Sequence, residues 1–294
     1  MMSYYLGIDA GGSHCRARLT DASGKVLGTG ETGPANARIG IEKLRAVLME
    51  ACDLALGQAG LKADAGISAG FGIAGISRPG VRDALHGLDL PFAQVRWETD
   101  AAIANLGAHG GGDGATLILG TGSIAYVKAG GASFAIGGYG SPISDEGSGA
   151  ALGLSAVRHA LRALDGRTKP TPLSAAITSR FSHEIPRVIG WMDTASPRDY
   201  AAFAPVVIDF AEADDEIARS IVEHAALHIE RFIETIFLRG APRCALAGGL
   251  APRMKAWLRA RTVARLSEPL GDPLDGALLL AGATGKQKPV EHAY

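Results

Sequence analysis

From Tyr4 to Gly30 the chain alternates short apolar runs with glycine-bearing polar turns, and the same rhythm returns from Ala115 to Gly140. In YYLGIDAGGSHCRARLTDASGKVLGTG the run Tyr4 to Ile8 enters the turn Asp9, Ala10, Gly11, Gly12, Ser13. In ATLILGTGSIAYVKAGGASFAIGGYG the run Ala115 to Leu119 enters Gly120, Thr121, Gly122, Ser123. Short apolar runs bounded by glycine turns predict strands and hairpins. Helical spacing follows, with Ile41, Leu44, Leu48, Cys52 and Leu56 on one face. Next come a glycine-rich strand (GISAGFGIAGI), a short helical stretch from Pro79 to His86, a strand from Gln94 to Glu98, and a helix from Ala101 to Leu106. The order is βββ, α, β, α, β, α.

The pattern starts again at Ala115, now with helices inserted before the last strand. A long amphipathic helix is expected from Asp214 to Gly240, with Ile217, Ile221, Ala225, Phe232 and Ile236 inward. A strand from Arg243 to Ala247, a turn at Gly248 and Gly249, a helix from Pro252 to Ala264 and a final apolar helix from Asp275 to Gly285 complete the reading. Two domains are expected, residues 1–112 and 113–294, hinged at the glycine cluster Gly107 to Gly114, with the last helix packing across the boundary.

With 294 residues the chain is long enough for two cores. A net charge of -1 gives no basic field for nucleic acid. No apolar run is long enough to span a membrane and MMSYYLGID carries no signal peptide, so a cytoplasmic protein is expected. The 3 cysteines, Cys15, Cys52 and Cys244, are far apart without CxxC spacing, which predicts buried reduced thiols.

The glycine turns carry the chemistry. Each can aim backbone N–H groups and a hydroxyl at a phosphate. Neither is a Walker A loop, because no Gly-Lys-Ser/Thr follows, and neither opens a helix as a dinucleotide fingerprint must. Asp100 falls at the carboxyl edge of a strand, where open α/β sheets bind ligands; it reads either as a general base or as the N-cap of the helix that follows. Asp9, beside phosphate-binding amides, would repel a nucleotide unless a cation such as magnesium intervened, or else it only stabilises its own turn. GGYGSPISDEGSGAALGL, residues 137–154, sets six glycines and the carboxylates Asp145 and Glu146 ahead of a helix, which suits sugar hydroxyls or an amine. Gly248 and Gly249 form a shelf suited to adenosine. Asn36 sits in a loop, and His224 and His228, four apart on a helix, lack a third metal ligand and read as solvent-side.

LGIDAGGSHCRARL, ETDAAIANLGA, LILGTGS, PISDEGSGAALG and LAGGL resemble the N-acetylglucosamine kinase branch of the actin-like ATPases and sugar kinases, a branch that includes BadF/BadG-type ATPases. GPAN, GSPISDEGSG, SPRDY and DGALLLAG are similar to the bacterial glucosamine kinases within it. The resemblance implies an α/β protein of two actin-like, ribonuclease H-like lobes, each a mixed five-stranded sheet flanked by helices, with ATP between them. It implies ATP and Mg2+ as cofactors, an amino sugar phosphorylated on its 6-hydroxyl, and a homodimer. By the same resemblance Gly11, Gly12, Ser13, Gly120, Thr121 and Gly122 would hold the phosphates, Gly248 and Gly249 the adenosine, and Asp9 the magnesium. Asp100 would be the base, and Asn36, Asp100, Ser123, Gly138, Tyr139, Gly140 and Asp145 would face the sugar. Ser13 stands where threonine is frequent and keeps the hydroxyl. The branch also holds iron–sulfur activators of 2-hydroxyacyl-CoA dehydratases, whose cysteine pattern this chain lacks. Glucosamine is preferred to N-acetylglucosamine on resemblance alone.

Overall fold

The structure, a computed structural model, describes residues 3–63 and 66–283. Its contacts divide the chain into two compact units, one made of the chain up to Gly114 together with the chain from Glu268 onward, the other of Ala115–Ser267.

In the first unit β1 (Tyr4–Ala10), β2 (Cys15–Asp21) and β3 (Val26–Thr32) pair antiparallel, while β4 (Ile67–Ile73) and β5 (Gln94–Glu98) run parallel to β1. The order across the sheet is β3-β2-β1-β4-β5. Helix α1 (Ile41–Gln58) buries Leu44, Leu48, Cys52 and Leu56 as its spacing predicts, against Leu6, Ile8, Leu19 and Phe71 of the sheet. Phe71 stacks on Trp97 at 4.5 Å between centroids, which fixes β5 to β4. Helix α2 (Val81–His86) begins two residues after Pro79, and α3 (Asp100–His109) runs past Leu106 to a left-handed cap at Gly110. The glycine cluster is therefore not one flexible stretch, since Gly107 lies inside α3 and Gly114 opens the next strand.

The second unit repeats the start: β6 (Gly114–Leu119), β7 (Ser123–Ala129) and β8 (Ala132–Gly137). Five helices follow, α4 (Gly149–Leu164), α5 (Pro172–Ser179), α6 (Ile185–Met192), α7 (Pro197–Ala201) and α8 (Ala204–Glu212), and then the long α9 (Glu216–Leu238). This helix starts later than Asp214 because Asp214 is left-handed, at φ 63, and Asp215 is the cap, accepting from the N–H groups of Ile217 and Ala218. It buries Ile221, Ala225, Ile229, Ile233 and Ile236. Strand β9 (Cys244–Ala247) completes a sheet ordered β8-β7-β6-β9.

That sheet has four strands, not the five expected. Where a fifth would form there is one isolated bridge, Leu266 to Cys244, and Pro269 soon follows without an N–H to extend a ladder. The helix expected from Pro252 to Ala264 is broken into α10 (Ala251–Lys255) and α11 (Ala260–Val263). The break has a cause: Arg259 is extended and gives its N–H to the buried carboxylate of Glu230 at 2.8 Å, which also takes the Thr262 hydroxyl. The last helix, α12, spans Pro273–Ala281 instead of starting at Asp275, because Asp272 caps it in a reciprocal pair with Asp275, and Gly282 at φ 104 ends it. Gly285 lies outside the described residues.

The chain thus returns to the first unit, where α12 packs on β1, β4 and α3. Mixed sheets of five and four strands flanked by helices place the fold in the actin-like class. The contact between α3 and α12 leaves no room for a methyl group, since a Cβ on Gly276 would lie 1.8 Å from the carbonyl oxygen of Ile103. Gly276→Ala should therefore destabilise the first unit by about 1–3 kcal/mol, read as a lowered midpoint in urea unfolding.

Candidate active site

Because β1, β4 and β5 run parallel, the residues after Ala10, Ile73 and Glu98 meet at one edge of the first sheet. The turn after β1 is closed by the Gly11 N–H on the His14 carbonyl at 3.0 Å, leaving Gly12 and Ser13 exposed. Ala35 donates to the Gly11 carbonyl and Ala37 to the Ala74 carbonyl, both at 3.0 Å. These bonds strap the GPAN loop across the ends of β1 and β4 and bring Asn36 beside the turn. Asn36 also caps a short turn, its Oδ1 accepting from the Arg38 N–H at 2.9 Å, so the loop reading and the ligand reading of this residue share one geometry.

Asp100 is not the N-cap. The Thr99 hydroxyl accepts from the Ala102 N–H at 2.9 Å and does that work, while Asp100 is the first residue of α3. Its Oδ1 accepts from the adjacent Ala101 N–H at 2.9 Å. Burial pushes its carboxyl up from 3.8 to about 6, the charge of Asp9 adds to the rise, and the Ala101 bond works against it. A carboxylate held near 6 can carry a proton in either direction close to neutral pH.

Asp9 has a partner that the sequence reading missed. Arg16 Nη2 sits 2.5 Å from Asp9 Oδ2. The signal was present in the hairpin register, because β1 and β2 place residues 9 and 16 directly opposite.

In the second unit the turn Gly120 to Ser123 is closed by the Gly120 N–H on the Gly122 carbonyl at 2.9 Å, and α4 donates into it from Gly149 to Gly120 and from Ala150 to Thr121. Asp145, left-handed at φ 69 and 8% exposed, lies against this turn and not in open solvent. Its Oδ1 accepts from the Ser123 N–H at 3.4 Å, and burial raises its carboxyl above the usual range. The Ser123 hydroxyl donates to the Glu146 carbonyl at 2.8 Å. Gly248, at φ 91, comes so close to Leu119 that a Cβ would fall 2.3 Å from its carbonyl oxygen; Leu250 donates to that same oxygen. The shelf Gly248 to Gly249 and the turn Gly120 to Ser123 are thus joined through the end of β6.

The backbone of Gly140 and Ser141 hydrogen-bonds the Asp145 carboxylate, so the glycine loop does reach this residue. Tyr139 is 80% exposed and lines a groove with Ile143, Glu146, Arg231 and Phe232. His224 and His228 stack edge to face, and no cluster of three metal-ligating side chains exists among the described residues. Cys15, Cys52 and Cys244 are buried free thiols. No described helix is long and apolar enough to cross a membrane.

A model of the BadF/BadG/BcrA/BcrD ATPase family matches residues 6–281. The chain belongs to this family. It is 36% identical to the glucosamine kinase GspK of Vibrio cholerae serotype O1, covering 100% of this chain and 99% of that protein. It is 29% identical to an N-acetylmuramic acid/N-acetylglucosamine kinase of Clostridium acetobutylicum, over 81% of this chain and 82% of the relative. A solved structure of a proposed N-acetylglucosamine kinase from Chromobacterium violaceum matches with a TM-score of 0.89 at 32% identity, covering 95% of this chain and 98% of that one. The family is one of ATPases, which supports the use of ATP by this chain.

A raised carboxyl binds its proton more tightly folded than unfolded, so Asp100 favours the native state at low pH and loses that advantage as pH rises from 3.8 through about 6. Asp100→Asn removes the penalty of burying the charge. Its stability should exceed that of the wild type at pH 7.5 by up to about 3 kcal/mol, read as a higher melting temperature, and the gain should vanish near pH 4. A calorimetric scan at both pH values measures it.

Proposed function

We propose that the protein is an ATP-dependent kinase of amino sugars, transferring the γ-phosphate of ATP to the 6-hydroxyl of D-glucosamine. The observation that carries the reading is Asp100: a partly buried carboxyl near 6, relieved of capping by Thr99, at the sheet edge that also carries the first glycine turn. The full-length similarity to a glucosamine kinase supports the substrate.

In this reading the turns Gly11, Gly12, Ser13 and Gly120, Thr121, Gly122 hold the phosphates through backbone N–H groups and hydroxyls, and Gly248 and Gly249 carry the adenosine. Asn36 fixes the sugar with its amide NH2, since its Oδ1 is already occupied by Arg38. Asp145 and Ser123 support the second turn, with Gly138, Tyr139 and Gly140 completing the sugar side. Asp100, ionised, accepts the proton of the sugar hydroxyl as that oxygen attacks the γ-phosphate in line.

Asp9 with Asp100 nearby offers two carboxylates and no closed cage, a donor set that suits a magnesium ion carried in on the nucleotide and keeping several waters. The Asp9 oxygen that Arg16 leaves free would hold it, and when bound it would neutralise charge on the phosphates. The assignment of the cytoplasm as compartment and of a homodimer as assembly belongs to the same proposal.

N-acetylglucosamine is the second reading, and one observation favours it. Asp145, the carboxylate that would attract a free ammonium, is buried, committed to the Ser123 N–H and shifted toward its neutral form.

A panel of glucosamine, N-acetylglucosamine and glucose, assayed for ATP consumption, tests the function; equal rates with glucose would sink it. Asp100→Asn should bind ATP normally and lose at least about 100-fold in kcat with the preferred amino sugar. In the wild type kcat/KM should rise with pH through about 6, and the variant should lack that limb. A variant that keeps half its turnover would remove Asp100 from the role of base.

A further inference from the structure

The pair formed by Arg16 and Asp9 is not explained by phosphate binding or by general-base chemistry. Arg16 touches Asp9 through Nη2 alone, end-on at 2.5 Å, with its side chain 35% exposed and that of Asp9 only 14%. Its Nε is enclosed and without a hydrogen-bond partner among the described residues. A guanidinium that uses one N–H out of five is held less firmly than in a two-pronged pair. A second acceptor lies within reach of its charge. Although burial opposes it, the Asp272 carboxyl is held below the usual range by the Arg18 hydrogen bond and by the charges of Arg18 and, more weakly, Arg16. Arg18 itself bridges Asp272 at 2.6 Å and Asp275 at 2.9 Å.

Arg16 therefore occupies the carboxylate that a divalent ion would use. We propose that it makes cation binding at Asp9 conditional on nucleotide, a regulation that rests on the assignment of Asp9 above. Without nucleotide, a fixed positive charge against Asp9 Oδ2 repels a divalent ion from the neighbouring oxygen that would hold it. A nucleotide supplies several phosphate charges at the adjacent turn, which outweigh the single charge of Arg16 and let the ion share Asp9. Arg16 can then lean toward Asp272 or the phosphates without being left unpaired. The consequence is order: the ion enters with the nucleotide and does not reside at the site beforehand. Arg16 is a positioning residue in this scheme, acting through Asp9.

Mn2+ is a suitable probe, its free form counted by electron paramagnetic resonance. Without nucleotide, Arg16→Gln should bind Mn2+ about tenfold more tightly than the wild type, the scale expected when one unit charge a few ångströms from a divalent ion is removed in a partly wet site. Arg16→Lys, which keeps the charge, should bind as weakly as the wild type, and Asp9→Asn/Arg16→Gln should lose the gain. With AMP-PNP present, the difference between Arg16→Gln and wild type should shrink to below about threefold. Nucleotide-free Mn2+ affinity that is unchanged or weaker in folded Arg16→Gln would overturn the proposal, and Arg16→Met decides the matter if the glutamine variant does not fold. If Asp9→Asn binds Mn2+ with AMP-PNP as well as the wild type does, then it is the metal role of Asp9 that fails.

Discussion

The parallel register of β1, β4 and β5 is the constraint on which the first unit's chemistry rests. It brings Asp9, the Gly11 to Ser13 turn, the Ala74 strap that carries Asn36, and Asp100 to one edge, although they are scattered over some ninety residues of sequence. Stacking of Phe71 on Trp97 holds β5 in that register, and α12 closes the opposite side of the sheet through contacts that only glycine permits. A shift of one residue in β5 would reverse which side chains face which layer and move Thr99 out of its capping position.

That cap has a chemical consequence. A helix start must satisfy free N–H groups, and an aspartate in the first turn is often consumed in doing so. Thr99 meets that demand at the Ala102 N–H, and burial raises the proton affinity of the Asp100 carboxyl. In the second unit the logic is reversed. Asp145 is drawn into the Gly122 to Ser123 turn, where its carboxylate accepts from the Ser123 N–H and serves as scaffold.

Strands, the main helices and both glycine turns were legible from apolar period and punctuation, because those signals are local. What escaped were contacts set by tertiary partners. The break between α10 and α11 depends on a carboxylate thirty residues away, Glu230, that competes for the Arg259 N–H. The missing fifth strand depends on a proline met after the chain has already turned away. Arg16 was readable in principle, seven residues from Asp9 across a hairpin, but only once the register was known. The resemblance places Tyr139 beside the sugar; its 80% exposure, among glycines in left-handed conformations, was not legible in the sequence.

The account stands on the state of one carboxyl. A titration of the Asp100 side-chain carbon by 13C NMR, assigned by difference from Asp100→Asn in nucleotide-free protein, observes it directly. The account predicts a midpoint of about 6. A midpoint near the ordinary aspartate value of about 3.9 would contradict it, since the group would then be a solvated carboxylate with no special capacity to take a proton near neutral pH.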